Sequence, residues 1–492
     1  MIGFSQALYW IFSVVPFMVI SSLQIIEKGS EEVMTSTGQQ SAEYNLNESE
    51  KKKIIFLMCS VLLFSAMNGT MFMIAIPDIA NSFSLSPSQV SWVVTGYIIL
   101  YAVGALMYGK LADIYPLKIL LTVGISFFVA GSLLGFFAPT YLIVILARMI
   151  QAAGAASIVA LAFIVPTRYF PEERGRVLGI VSSTMAFASG IGPVIGGFVA
   201  GALNWQFLFL ISALIIFTIP FFRIWMPEEK KKEGKVDILG AFLIAIAVAT
   251  LILFITAFVW WYIVISICFF SLFAWRIFHS DNPFIHPDLF KNAPYRITIM
   301  AGFFGIMTMF GMMFMMPLML SEVNGLNTLF IGLTLFPGAM AAAYVGKWAG
   351  VLTVNRGSKQ VVYIAFVLMT LGFFLLSTFT GSSAWVISIV IIISYIAFPF
   401  IQTGTASLIS IALPSNEIGV GIGIYNLFNL MSGAFGSAII GKMLDNQSSM
   451  AFNVFSVAQG SGIIYSNVFI GLALLTILNG GFFYFAFKKL VI

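Results

Sequence analysis

A chain of 492 residues with 60% hydrophobic and 9% charged side chains, at a mean hydropathy of +1.02, has too little charge to cover a water-facing surface. That excludes an ordinary soluble globule and puts the chain in a bilayer. The net charge of +5 does not signal nucleic acid, because the basic residues fall in short runs between apolar segments.

Two readings compete for the first residues. Phe4 to Ile26 is apolar enough to be an extra helix, although Pro16 interrupts it and the basic n-region of a signal anchor is missing. Alternatively, translation starts at Met34, just after Gly29-Ser30-Glu31-Glu32. The polar stretch from Met34 to Lys53 is expected to be disordered. Residues 1–53 are thus an amino-terminal extension.

From there the chain reads as membrane-spanning helices, each needing roughly 20 apolar residues. Spans are predicted near 54–76, 89–110, 117–137, 140–164, 177–202, 206–226, 238–257, 259–278, 297–320, 328–352, 360–380, 384–408, 418–441 and 463–487. Almost nothing polar separates the seventh from the eighth. The cations alternate. Lys51 to Lys53, then Lys110 and Lys118, then Arg168, Arg174 and Arg176, then Arg223, Lys230 to Lys232 and Lys235 fall in every second loop. Arg276, Lys291 and Arg296, then Arg356 and Lys359, then Lys488 and Lys489 continue the pattern, with Lys442 as the nearest exception. The positive-inside rule therefore predicts an even number of spans with both termini in the cytoplasm.

Several classes of chemistry lack their residues. No Walker loop is present, so ATP is not expected as an energy source. No nucleophile–base constellation appears, so the chain is not expected to be an enzyme, and no cofactor is implied. His279 and His286 flank Pro283 without a nearby cysteine, which does not make a metal site. Cys59 and Cys268 both sit in apolar stretches and read as small buried hydrophobes.

The loop after the second span, Gly109 to Lys118, and the loop after the tenth, Gly346 to Lys359, both begin Gly-Lys at a helix end and close on a cation. Two parallel six-helix repeats are a transporter pattern. The expected all-α architecture is therefore an amino-terminal bundle over 54–226, an inserted helix pair over 237–279 and a carboxy-terminal bundle over 295–488.

Three motifs carry more than packing. The first is the loop Gly109 to Lys118, with Lys110 at a helix end and Asp113 just before the third span, where the helix dipole favours a carboxylate. The second is Arg148 with Gln151 and Gly154. An arginine within a span costs roughly 2.5–3.5 kcal/mol on insertion scales, so it needs a partner from another helix or a wet cavity. The third is Gly190, Gly192, Pro193, Gly196 and Gly197, whose small-residue spacing lets helices meet backbone to backbone while the proline bends the helix.

Together with IPDIANSF (76–83), YGKLAD (108–113), ARMIQAAGAA (147–156), LFPGAM (335–340) and YSN (465–467), these motifs make the chain resemble a known family. It looks like the fourteen-helix drug:proton antiporters of the major facilitator superfamily, most closely the class K and class L tetracycline efflux proteins. The resemblance runs from about Lys53 to the C-terminus. It implies a bacterial plasma-membrane exporter of small hydrophobic drugs or metabolites in exchange for protons. By the same resemblance the loop holding Lys110 is a conformational latch, Arg148 acts in proton-linked switching, and the Gly190–Gly197 run is the antiporter signature. The chain departs from the family where membrane-embedded glutamates are expected, at Gly69, Ser189 and Gly433. The titratable groups left near membrane depth are Asp113 and Asp78.

The expected substrate-cavity residues are neutral: Asn68, Thr95, Tyr101, Gln151, Gln402, Asn426 and Asn429, with Thr70 beside them. The seven methionines from Met307 to Met319 suit either a promiscuous binding surface or plain core filling. Small-molecule substrate, protons and lipid are the expected partners of a monomer, with no nucleic acid. Export of an endogenous apolar compound, monovalent cation exchange and a non-transporting receptor on the same fold are the competing readings.

Overall fold

The structure, a computed structural model, describes residues 47–112, 114–170, 173–229, 237–279, 291–413, 418–446 and 450–488. The segment Phe4–Ile26, the Met34 start, Asp113 and His286 lie outside these residues.

All regular structure among the described residues is helical. Asn47 fixes the start of α1 (Glu48–Ile74) with a reciprocal cap: its side chain accepts from the Glu50 N–H at 2.9 Å, and the Glu50 carboxylate accepts from the Asn47 N–H at 3.0 Å. A short helix, α2 (Ile76–Phe83), ends at Ser84 in the left-handed region, and α3 (Pro87–Val90) and α4 (Trp92–Ala112) make the next crossing. Then come α5 (Leu117–Phe136), α6 (Tyr141–Tyr169) and α7 (Arg174–Ala202). The sixth apolar stretch is broken into α8 (Phe207–Ala213), a 3-10 turn (Leu214–Thr218) and α9 (Ile219–Trp225), with Pro220 where the α-helix resumes.

The pair expected between the bundles is α10 (Ile238–Ala257) and α11 (Trp260–His279). With no polar residue to stop the first helix, the break falls at Phe258, whose φ of 56° is an unfavourable left-handed conformation for an aromatic residue. The chain then continues as α12 (Ala293–Glu322), α13 (Thr328–Arg356), α14 (Ser358–Phe379), α15 (Ala384–Ala412), α16 (Ile418–Leu444) and α17 (Gly462–Lys488).

Twelve described helical stretches are long and apolar enough to cross a membrane. In α7 and α10 the apolar stretches are shorter, Phe187–Ala202 and Phe242–Ala257.

Neighbours pack through small residues. A methyl on Gly154 of α6 would lie 2.3 Å from the Phe128 nitrogen of α5, so these helices meet backbone to backbone. Likewise a methyl on Gly372 of α14 would collide with Ser394 of α15. Helix α10 packs on both α4 and α16, and α11 packs on α10. Ser266 donates to the Ala247 carbonyl at 2.9 Å, and Arg276 pairs with the capping carboxylate Asp237 at 3.3 Å.

Two expectations are corrected here and one open alternative is decided. The stretch expected to be disordered as far as Lys53 is helical from Glu48, where the Asn47 cap starts α1. Cys59 is buried but Cys268 is exposed on α11, because that helix has one neighbour and shows its other faces to the surroundings. The methionines of α12 fill the interior: Met309, Met312, Met315, Met316 and Met319 are all fully buried, since α12 is enclosed by α15, α16 and α17.

Candidate functional site

Arg148 stands in the second turn of α6 and is 1% exposed. Its Nη1 donates to Asn68 Oδ1 of α1 at 2.6 Å and to Gln151 Oε1 of its own helix at 2.9 Å, and Nε donates to the Val93 carbonyl of α4 at 3.3 Å. The guanidinium lies 4.2 Å from the Phe72 ring centre and 4.0 Å from that of Tyr97. A second tier holds the acceptors in place. Asn68 Nδ2 donates to Ser212 at 2.7 Å, and Gln151 Nε2 donates to Ser132 at 2.7 Å. Hydrogen bonds to a charged group contribute about 1.5–3 kcal/mol each, and a desolvated cation–π contact about 2 kcal/mol. That is enough to offset the insertion cost without a carboxylate. Among the described residues, every hydrogen bond of Arg148 goes to a neutral acceptor.

This corrects the expectation for part of the cavity set. Asn68 and Gln151 are 0% exposed and spend their amides on Arg148. Thr95, also 0% exposed, lies where α4 meets α16 and bonds to Ser437 Oγ at 2.8 Å. Tyr101 is half-buried and stacks on Tyr97 at 5.8 Å. Asn429 is 6% exposed and lies beside Gly302, where a methyl would be 3.6 Å from its Oδ1. Gln402 and Asn426 are exposed along the interior of their helices.

The Gly190–Gly197 run serves two neighbours. Methyls on Gly192 and Gly196 would strike α1, 1.9 Å from Thr70 Oγ1 and 2.7 Å from the Met71 carbonyl. Gly197 faces α13 instead, where a methyl would lie 2.7 Å from the Thr328 carbonyl. In return, a methyl on Gly332 of α13 would lie 2.6 Å from the Pro193 carbonyl. Further along, a methyl on Gly190 would meet α13 in ordinary van der Waals contact, 3.9 Å from the Ala339 carbonyl and the Met340 sulfur.

A second seam joins α4 and α16. A methyl on Gly441 would meet the Pro87 carbonyl at 2.9 Å, and Thr95 reaches Ser437 one turn in. At the opposite end of α4, a methyl on Gly109 would meet nothing within 4 Å. Both seams therefore make their tightest glycine contacts, among the described residues, at the end away from the lysine-rich loops.

Lys110 lies in the last turn of α4. Asp78 lies on α2, outside the spanning helices, and accepts from the Thr328 hydroxyl. Burial pushes its carboxyl above the usual aspartate value, with the Thr328 bond working against the shift.

Sequence reading missed Arg168 and Glu229. Arg168 donates to the Ala112 carbonyl at 2.7 Å and to Glu229 at 3.2 Å, and Glu229 also accepts from the Leu117 N–H at 2.6 Å. These bonds tie the loop between α4 and α5 to α6 and to the chain after α9. Nothing in PEEKKKEGK distinguishes Glu229 from Glu228, so only the folded arrangement reveals it. Among the described residues no group of three or more His, Cys, Asp or Glu could hold a metal ion.

A helical membrane protein with a buried polar core and two glycine-lined seams between its halves has the architecture of a membrane transporter. More particularly, the chain belongs to the Major Facilitator Superfamily, which matches residues 58–437. It is 26% identical over 398 residues to the lincomycin resistance protein LmrB of Listeria innocua, covering 78% of this chain and 84% of that protein. It is 25% identical over 453 residues to the riboflavin transporter RibZ of Clostridioides difficile, covering 86% and 97%. Among solved structures it matches a bacterial homologue of the human lysosomal transporter Spinster, in an inward-facing and unoccupied conformation. That match has a TM-score of 0.67 at 13% identity and covers 90% of this chain and 98% of the other. The chain is thus a multi-pass transporter of small molecules and not an enzyme.

Proposed function

We propose that this protein exports small, neutral, largely apolar molecules from the bacterial cytoplasm in exchange for protons. In this reading the chain crosses the plasma membrane fourteen times as a monomer, with both termini inside. The bundles 54–226 and 295–488 rock about a central path, and 237–279 is inserted between them. The two seams carry the proposal: close glycine contacts between helices of the two bundles, concentrated at one end, suit bundles that rock against each other. Similarity to a lincomycin resistance protein supports a drug-like cargo.

The chemistry of the path supports neutral cargo. Exposed polar side chains within a span, such as Gln402 and Asn426, belong against water or substrate, since lipid gives them no partner. A methyl on Gly69 would meet open space, and Ser189 is exposed, so both positions can face the path. No acid lies within either of those spans, so nothing there attracts a cation.

The test is an accumulation and susceptibility screen in a pump-deleted host, covering lincosamides, tetracyclines, quinolones, cationic dyes, flavins and fatty acids. Hits are then added to everted vesicles carrying a pH-sensitive dye. Substrate-evoked proton movement is the expected result. Flux without proton movement removes the coupling, and saturable binding without flux points to a receptor.

A further inference from the structure

Lys442 breaks the charge pattern of the sequence by standing at the end where cations are scarce. Its surroundings explain it. Lys442 Nζ lies 3.7 Å from Asp445 Oδ2, while the other oxygen of Asp445 accepts from the Ser88 N–H at 3.0 Å. Asp445 follows α16, whereas Ser88 is in the first turn of α3, 357 residues away. The carboxylate thus reaches across the second seam, beside the contact of Gly441 with Pro87 and Ser88.

The first seam has the same construction in the opposite sense. Asp78, from the amino-terminal helices, accepts from Thr328 in the first turn of α13, 250 residues away. The neighbouring contact is Gly197 against the Thr328 carbonyl. Each seam therefore pairs one glycine approach with one aspartate. The aspartates come from opposite halves, and each grips the first turn of the helix that begins the other half's second crossing. At these helix starts carboxylates are also favoured by the backbone dipoles.

We infer that Asp78 and Asp445 are reciprocal gating residues, holding the rim of the two seams shut with Thr328 and Ser88 as their catches. This rests on the transport reading above, within which the rim is the extracellular gate. The glycine contacts fit the surfaces together, but they are non-directional and slide easily. The aspartate bonds fix the register and must break before either seam can part.

The experiment uses the full-length protein in a Cys59→Ala, Cys268→Ser background with Thr95→Cys as reporter, since Thr95 is fully buried just beneath the rim. A membrane-impermeant maleimide is applied to intact cells and, separately, to inside-out vesicles. The parent should label slowly. Asp78→Ala combined with Asp445→Ala should label at least fivefold faster from outside. Thr328→Val should raise labelling as Asp78→Ala does, while Thr328→Ser, which keeps the hydroxyl, should stay slow. Monodisperse elution of each purified variant identifies those that fold, and the Thr328 pair decides the matter if the double variant does not. Unchanged labelling in folded variants overturns the gate. Faster labelling only in inside-out vesicles overturns the orientation. A gate that opens in a protein moving no substrate upholds the latches and removes the transport reading.

Discussion

Arg148 brings a full positive charge into a region where the bilayer offers no counter-ion, and neutral amides and ring faces carry it. Lysine is a poor replacement, because one ammonium cannot reach Asn68, Gln151 and the Val93 carbonyl from its flexible stem while lying flat between two rings. We expect Arg148→Ala to abolish export and Arg148→Lys to lower it at least tenfold, both with normal membrane insertion. Wild-type flux in either would remove Arg148 from the mechanism. The sequence exposed the need for partners but not their identity. Asn68 and Gln151 read as cavity polar groups because a lone amide in an apolar helix looks the same whether it binds cargo or another side chain. Only the meeting of α1, α4 and α6 separates the two. Asp78 adds a dependence on external pH. Burial raises its carboxyl above the ordinary value of 3.8, so the closed rim favours the protonated form. The contribution to closure is complete below that value and is lost as external pH climbs through the raised one. Labelling of Thr95→Cys from outside, taken relative to a freely exposed reference cysteine to cancel the thiolate's own pH dependence, should therefore slow as the medium is acidified. On that relative scale Asp78→Asn should be closed and insensitive to pH; retained relative pH dependence in it assigns the effect to another group.

At the scale of elements, α7 does two jobs with one run of glycines. Gly192 and Gly196 seat it on α1 within its own bundle, whereas Gly197 meets α13 of the other bundle, a partner that the proposed rocking would separate from it. Substitutions should separate these jobs. Gly192→Leu should lower the melting temperature of the purified protein, because backbone and Thr70 block any collapse around the larger side chain. Gly197→Ala should fold normally but hold the first seam apart, with substrate leaking back down its gradient. Equal thermal stability in the two would dissolve the distinction. The motif itself was legible in the sequence from its Gly-Pro-x-x-Gly-Gly order, and so was the succession of apolar stretches, twelve of which are described helices long and apolar enough to cross a membrane. The division of its two faces was not, since small-residue spacing gives an approach without naming the helix approached. Nor could the sequence show the 3-10 break between α8 and α9, which apolar residues mask completely.

For the whole molecule, the proposed selectivity for neutral cargo rests on the absence of acids within the spans that hold Gly69, Ser189, Gln402 and Asn426. Gly69→Glu puts a carboxylate into open space on α1, where no neighbour blocks it. We expect this variant to gain export of monovalent cationic dyes and to lose several-fold in flux of neutral cargo. An unchanged cation-to-neutral ratio would show that Gly69 does not border the route. The charge alternation from which the topology is expected also hid the Lys442–Asp445 pair. Lys442 looked like noise, yet it balances a carboxylate that spans the two halves.

The inserted pair has its own consequence for how cargo arrives. Helix α10 lies across the line where α4 and α16 meet, with α11 strapped to it through Ser266 and the Asp237–Arg276 pair. In the proposed transport cycle the opening of that line would still be roofed against the acyl chains. Among the described residues the α7–α13 line has no such roof, so that cycle would give a molecule dissolved in the membrane a sideways doorway on the face away from the extra pair.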